Sequence, residues 1–389
     1  MTPDEIRLNP RVVASASAAS LKAELSRLGF PGDVRDLAPA RLAKIAVAIE
    51  NLAPAEAFEV RARWAAGGGE VLIAGDPFST AAVPAVVTGT REQFEKTTTG
   101  IEAILSRALQ LFHAVPAPVG GLEFGRRTHL MGIVNVTPDS FSDGGKFAEA
   151  DAAIAQGERL AAAGASILDV GGESTRPGAE PVSAAEEMRR VLPVLTALAK
   201  RLKVPVSIDT TKADVARAAL DAGAVWVNDI SGLRLDPAMA ALVAERGVPA
   251  VVMHMKGTPR TMQQGPQYRD PVAEICAWLR ESLAAAARAG IAEERLIVDP
   301  GIGFGKTMEQ NLEILARLRE FRTLGRPVLV GVSRKSFIGK LTGLEAPARA
   351  LPSAGAAAWC IAQGADILRV HDVEETETVR RVVDAIARG

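Results

Sequence analysis

The sequence predicts an α/β protein: a (β/α)8 TIM barrel preceded by a smaller N-terminal α+β domain. Three observations carry this. From about residue 127, short β-branched apolar runs alternate with amphipathic helical stretches. There are eight such runs in roughly 260 residues, the usual size of a (β/α)8 barrel. Every run carries a polar residue at or near its C-terminal end, so all eight deliver polar side chains to one rim. A doubly wound open sheet is the alternative that the rhythm alone leaves standing.

The runs are THLMGIVNV (128–136), SILDVGG (166–172), VPVSIDT (204–210), VWVNDIS (225–231), PAVVMHM (249–255), RLIVDPG (295–301), RPVLVGVS (326–333) and ADILRVH (365–371). Near-continuous apolar strands between helices indicate a parallel sheet covered on its outer face. The helical stretches between them stop at Gly164, Gly223, Gly247, Gly290 and Gly364. A glycine there is the expected C-cap before a short loop into the next strand.

The region before residue 120 lacks that rhythm. Helical stretches are expected at about 18–28, 37–51, 55–65 and 91–112, with short strands at EVLIAG (70–75) and AAVPAVVTG (81–89). The Pro- and Gly-rich run that follows reads as a linker. The expected organisation is therefore an ancillary domain of unassigned role at 1–113, a linker at 114–126 and the barrel at 127–389.

The chain has 389 residues, 48% of them hydrophobic, enough for two domains and a large core. Lys plus Arg is 45, Asp plus Glu is 46, and the net charge of -1 argues against a nucleic-acid partner. Cys276 and Cys360 lie in apolar helical stretches without metal-ligand or redox spacing and read as buried free thiols. The first residues have charges from Asp4 onward and no apolar core of a leader, and no apolar run reaches membrane-spanning length. The expectation is a cytoplasmic protein with no membrane partner.

In a barrel the active site forms at the C-terminal ends of the strands. Those ends supply Asn135, then Asp169 with the segment Gly171 to Arg176, Asp209, Asn228 with Asp229, His254, Asp299, the segment Ser333 to Ser336, and Arg369 with His371. Polar groups crowded into one mouth are costly unless they bind something. Asp209, Asn228 and Asp299 offer hydrogen-bonding groups suited to a flat, amide-rich heterocycle. Arg176, Lys335, Arg369 and His371 are read as positive charge for a phosphate or pyrophosphate. PGIGFGKT (300–307) resembles a Walker loop but has Pro300 where that loop needs glycine, and Lys306 stands where a dinucleotide fingerprint needs its third glycine. His113, His129, His254 and His371 lack metal-ligand spacing, and the first two fall outside the rim.

MGIVNVTPDSFSDGG (131–145) and SILDVGGESTRPGAEPVS (166–183) resemble the two signature segments of the dihydropteroate synthase family. The likeness continues through SIDTTK (207–212), VNDISG (227–232), MHMKGTPRTMQ (253–263), DPGIGFGK (299–306), GVSRKSFIG (331–339) and RVHDV (369–373). Lys256 is one mild variation within it.

The resemblance implies an enzyme joining a dihydropterin pyrophosphate to 4-aminobenzoate. It implies that Asp209, Asn228, Asp299 and Lys335 hold the pterin. Asn135, Arg176, Arg369 and His371 would hold pyrophosphate, with Asn135 also a ligand of Mg2+. Thr175, Pro177, Phe304 and Ser336 would meet 4-aminobenzoate, and Asp143 would close over the site. The groups implied in catalysis are Asp143, Arg176, Lys335, Arg369 and His371. A homodimer is implied as well. The rival readings are a pterin-dependent methyltransferase and a catalytically silent pterin-binding paralogue.

Overall fold

The computed structural model describes residues 2–12, 24–32, 45–74, 81–95, 99–136, 146–174, 180–258, 261–262 and 265–388, with the backbone alone for 146–148. The chain divides into two units. One comprises Met1–Val115, Tyr268–Glu281 and Arg317–Gly325, and the other Pro116–Gln267, Ser282–Ala316 and Arg326–Gly389.

The first unit opens with α1 (Pro3–Leu8), begun by a capping box: Thr2 Oγ1 accepts from the Glu5 amide at 3.1 Å, and Glu5 Oε2 accepts from the Thr2 amide at 2.6 Å. It continues through β1 (Arg11–Val12), β2 (Ile45–Leu52), α2 (Pro54–Ala66), β3 (Glu70–Ile73), β4 (Val83–Gly89), α3 (Arg91–Glu95) and α4 (Gly100–His113). The strands form an antiparallel sheet in the order β1-β2-β4-β3. Both faces are covered. Val47, Ile49, Ala85 and Val87 enter one core with Trp64 and Leu105, while Ala46, Ala48 and Val86 enter another with Leu25 and Phe30.

That double burial corrects one expectation. Residues 45–51 were expected to be helical, but Ile45–Leu52 is a strand. A strand buried on both faces is apolar at both parities and loses the period-two signature that would reveal it. Residues 37–44 of the expected helix lie outside the described residues, as do 18–23 of the preceding one.

A buried charge network also lies in this unit. The Arg11 guanidinium is fully buried and reaches Glu320 at 2.6 Å, Glu50 at 3.3 Å, Asp270 at 3.6 Å and Glu24. Arg27 Nε meets Asp270 at 2.6 Å, and Arg317 meets Asp270 and Glu320 at 3.0 Å each. Burial alone would raise the Glu24 carboxyl, but Arg11 and Arg27 hold it down at about 2.

The second unit is the barrel. Its strands are β5 (His129–Asn135), β6 (Ile167–Gly171), β7 (Val206–Asp209), β8 (Trp226–Asp229), β9 (Ala250–Met253), β10 (Leu296–Asp299), β11 (Leu329–Val330) and β12 (Ile367–Val370). All are parallel, in the order β10-β9-β8-β7-β6-β5-β12-β11, and a parallel bridge between Val298 and Val328 joins the two ends. The intervening helices are α5 (Lys146–Ala162), α6 (Ala184–Arg201), α7 (Ala213–Asp221), α8 (Met239–Arg246), α9 (Pro271–Arg288, begun in the first unit), α10 (Met308–Ala316), α11 (Ser336–Thr342), α12 (Ala350–Ala362) and α13 (Val373–Arg388). The glycines expected to stop helices at 164, 223, 247, 290 and 364 all have positive φ, a region that side chains with a Cβ avoid.

The barrel floor holds a further surprise. Part of the segment expected as a linker is a small hairpin, with Val119 and Leu122 paired across Gly120 and Gly121. Val119, Leu122 and Phe124 pack against Met131, Ile167, Trp226, Ile297, Leu329 and Ile367, near the start of the strands. Gly120 has φ +53°, and a Cβ there would lie 2.4 Å from the Trp226 indole nitrogen, so only glycine fits. Cys276 and Cys360 are buried free thiols. Among the described residues, no helix is long and apolar enough to cross a membrane.

Candidate active site

Strand register fixes the rim. Asn135 pairs with Gly171, Gly171 with Asp209, and Asp209 with Asn228, so these positions stand level around one side of the mouth. Asp299 ends β10 in register with Met253. Arg369 lies within β12, level with Met131.

Arg369 spans the interior from there. Its Nε donates to Asp169 Oδ2 at 2.6 Å and its NH2 to Asp209 Oδ2 at 2.6 Å. Asn228 Nδ2 donates to the same Asp169 oxygen at 2.8 Å. Asp169 was noted on its strand but given no role. The signal available was a charged residue inside an otherwise apolar strand of a parallel sheet, where an unpaired carboxylate is untenable.

Three carboxyls of the mouth are perturbed upward. Burial pushes Asp209 to about 7, with Arg369 pulling down and Asp169 pushing up. Burial pushes Asp299 to about 6, opposed by the Gly301 amide, which donates to it at 2.7 Å, and by Lys335. Asp229, next along β8, is pushed to about 6 by burial while its Oδ1 accepts from the Ser231 amide at 2.7 Å. Shifts of this kind, gathered in one cleft, mark functional sites.

Lys335 caps the start of α11. Its Nζ stands 4.3 Å from the centre of the Phe304 ring, a cation–π distance, and burial lowers it to about 8. Phe304 also packs on Ile230, Met253, Met255 and Met262, giving the mouth one apolar wall. Ser336, the first residue of α11, is exposed.

Lys306 is a residue that sequence reasoning passed over except as a mismatch to a fingerprint. It is buried, and its Nζ donates to Gly301 O at 2.8 Å and Phe304 O at 2.9 Å while lying 3.0 Å from His254 Nδ1. It ties the loop between Asp299 and Phe304 to the end of β9. Only the position of glycines and lysine in PGIGFGK hinted at a built loop.

His371 corrects an expectation. It was read as a source of positive charge, but burial, followed by the nearby Arg369 and Arg334, lowers it to about 3. At neutral pH the ligand-free imidazole is neutral and serves as a hydrogen-bonding group. Its Nδ1 lies 3.1 Å from Ser333 Oγ, which also accepts from the His371 amide at 3.2 Å. Ser333 thereby fixes the ring, another link not visible in sequence.

Asp209, Asn228, Asp299, Lys335, Arg369, His371 and Phe304 are thus side chains of one barrel mouth, with half-buried Asn135 at the end of β5. Asp143, Thr175, Arg176 and Pro177 lie outside the described residues. His129 lies at the opposite, N-terminal end of its strand, bonded to Glu123 O at 2.7 Å. His113 ends α4 in the first unit. Among the described residues no cluster of three or more His, Cys, Asp or Glu side chains could hold a metal.

Comparison with known proteins agrees with this geometry. Residues 131–371 match the family described as pterin binding enzyme. A dihydropteroate synthase of Synechocystis is 48% identical over 276 residues, covering 70% of this chain and 96% of its own. The crystal structure of dihydropteroate synthase from Clostridium difficile in the presence of pteroic acid is 45% identical with a TM-score of 0.66, covering 69% of this chain and all of its own. The Xanthomonas albilineans dihydropteroate synthase in complex with 7,8-dihydropteroate is 46% identical with a TM-score of 0.61, covering 67% and 94%. A barrel mouth that gathers Asp209, Asn228, Asp299, Lys335 and Arg369, on a chain this close to those enzymes, places the protein: it belongs to the pterin-binding enzyme family, among the dihydropteroate synthases.

Proposed function

We infer that the chain condenses 6-hydroxymethyl-7,8-dihydropterin pyrophosphate with 4-aminobenzoate, giving 7,8-dihydropteroate and pyrophosphate. It is a transferase of folate synthesis. The observation that carries the reading is the meeting of Asp209, Asn228 and Asp299 with Arg369 and Lys335 in one mouth.

Asp209, Asn228, Asp299 and Lys335 hold the pterin. The carboxylates accept from its N–H groups, and Lys335 donates to an acceptor on the ring. Arg176, Arg369 and His371 receive the pyrophosphate. The C–O bond between the pterin methylene and pyrophosphate breaks, and its electron pair leaves with pyrophosphate. The amine of 4-aminobenzoate then forms the C–N bond to the methylene and loses a proton. The two carboxylates favour the cationic pterin methylene, and the guanidiniums favour the growing charge on pyrophosphate, so both interactions strengthen toward the transition state. Phe304, Thr175, Pro177 and Ser336 seat the arene, and Asp143 closes over the amine. Lys335 and His371 act at the boundary between the pterin and the leaving group.

Mg2+ fits this donor set. It takes oxygen ligands and keeps several waters, so a single amide oxygen from half-buried Asn135 suffices where the substrate supplies phosphate oxygens. When bound, Mg2+ neutralises charge on pyrophosphate.

We read the enzyme as cytoplasmic and as a homodimer. Large apolar side chains stand exposed at Leu341 on α11, Leu351 and Trp359 on α12, and Val382 and Ile386 on α13, a pattern suited to cover by a second copy.

A steady-state assay with both substrates and Mg2+ tests the reading. Pyrophosphate and dihydropteroate should appear in equal amounts, and neither without 4-aminobenzoate. Pterin binding without product would remove the synthase activity. Asp299→Asn should weaken pterin binding by calorimetry, and Arg176→Ala should lower kcat/KM.

A further inference from the structure

We propose that Asp169 is the positioning and specificity-determining residue of this mouth: one buried carboxylate that orients the pterin-binding amide of Asn228 and, through Arg369, the pyrophosphate end of the same site. The proposal rests on the roles of Asn228 and Arg369 given above.

Asp169 lies on β6, midway in the run β8-β7-β6-β5-β12, and it is fully buried. One of its oxygens, Oδ2, receives Asn228 from β8 and Arg369 from β12, at 2.8 and 2.6 Å. The contacts reach two strands in each direction across the barrel interior.

The first consequence follows from donor chemistry. An ionised carboxylate only accepts hydrogen bonds, so the side of Asn228 that faces Asp169 must be its NH2 group. A flipped amide would set a carbonyl oxygen against a carboxylate oxygen. The Asn228 oxygen is therefore turned away from β6, leaving one N–H and one carbonyl acceptor for a ligand. Without Asp169 the amide could adopt either orientation, and discrimination between a ring N–H and a bare ring nitrogen would fall.

The second consequence concerns Arg369. Its guanidinium is divided between two carboxylates, Nε to Asp169 and NH2 to Asp209. A pterin that draws on Asp209 competes for that second contact. Asp169 holds Nε whatever Asp209 does, so the guanidinium keeps its plane when the pterin arrives. The remaining oxygen, Asp169 Oδ1, is buried with no hydrogen-bond partner among the described residues.

The test uses the full-length protein and Asp169→Asn, which keeps shape and removes the charge and the enforced amide orientation. Calorimetry with 6-hydroxymethylpterin, and separately with pyrophosphate and Mg2+, should show each affinity falling about ten-fold or more, the usual effect of removing a charged hydrogen-bond partner. KM for 4-aminobenzoate at saturating pterin substrate should stay at the unaltered value. In an Asn228→Ala background the further effect of Asp169→Asn on 6-hydroxymethylpterin should disappear, while its effect on pyrophosphate persists. Unchanged affinities in Asp169→Asn, or full additivity with Asn228→Ala for the pterin, would overturn the proposal.

A measurement on the unaltered protein guards against a variant that does not fold. One Nδ2 proton of Asn228 should exchange slowly by NMR, and exchange of both at the rate of an exposed amide would sink the idea. If the unaltered protein itself fails to bind 6-hydroxymethylpterin, the reading of the site fails instead.

Discussion

Lys306 Nζ lies 3.0 Å from His254 Nδ1, with both side chains buried. Burial drives each base toward its neutral form, and His254 lies near a second lysine, Lys256, that pushes the same way. The same Nζ also bonds to the carbonyls of Gly301 and Phe304, which makes it a node of the loop. Lys306→Met keeps the stem and leaves both carbonyls without that donor. An unfulfilled buried acceptor costs about 1–3 kcal/mol, so urea denaturation should show a loss near that range or somewhat above. An unchanged midpoint would mean that the loop is held by something else.

Arg369→Lys should behave as a severe change. The guanidinium serves two carboxylates from one planar edge, at 2.6 Å each, and an ammonium cannot reproduce that fork. Turnover should fall by about 100-fold or more, as expected when a preorganised charge at the leaving group is misplaced. Near-normal kcat/KM would show that charge alone suffices.

Pterin binding should weaken as pH falls. When ionised, Asp209 and Asp299 accept at both oxygens; protonation turns one of these acceptors into a donor, and the two groups stand at about 7 and about 6. Calorimetry from pH 8 to pH 5 should show affinity dropping through that window. Stability should move the opposite way. These carboxyls hold protons more tightly in the folded state than in the unfolded one, so between about pH 4 and 7 their contribution to stability falls as pH rises. A flat binding profile would exclude both carboxyls from the pterin contacts.

Arg11→Met should destabilise the first unit. It removes a fully buried cation from among Glu24, Glu50, Asp270 and Glu320 and, among the described residues, leaves only Arg27 and Arg317 to balance their charge. Breaking a buried pair from one side typically costs about 3–5 kcal/mol. Thermal melting that matches the unaltered protein would contradict the network's energetic role.

Much of the barrel is legible in sequence because each strand announces itself by a buried apolar run, and five of the eight also by the glycine that stops the helix before it. The rim is legible because Asn135, Asp209 and Asp299 close their strands and Asn228 stands one residue from the end of its own. What escapes is set by contacts distant in sequence. Asp169 takes its meaning from Arg369, 200 positions away, and no local pattern reports such a pairing. β2 is hidden because burial on both faces erases alternation. The hairpin at 119–122 has linker composition, yet Gly120 is there because the Trp226 ring leaves no room for a side chain. His371 has the residue type of a cation, but its charge depends on burial that the sequence does not state.

The charge network in the first unit also bears on the order of synthesis. Arg11 bonds to Glu320 across 309 positions of chain. At about 5–20 residues per second, the interval between the two emerging during translation is roughly 15–60 s. Until residue 270 emerges, Arg11 and Arg27 have only Glu24 and Glu50 as partners among the described residues, and Glu320 comes later still; long-range closure of this kind is slow in its own right. Arg11 is therefore made early relative to Asp270 and Glu320, and its network closes only after residue 320 has emerged.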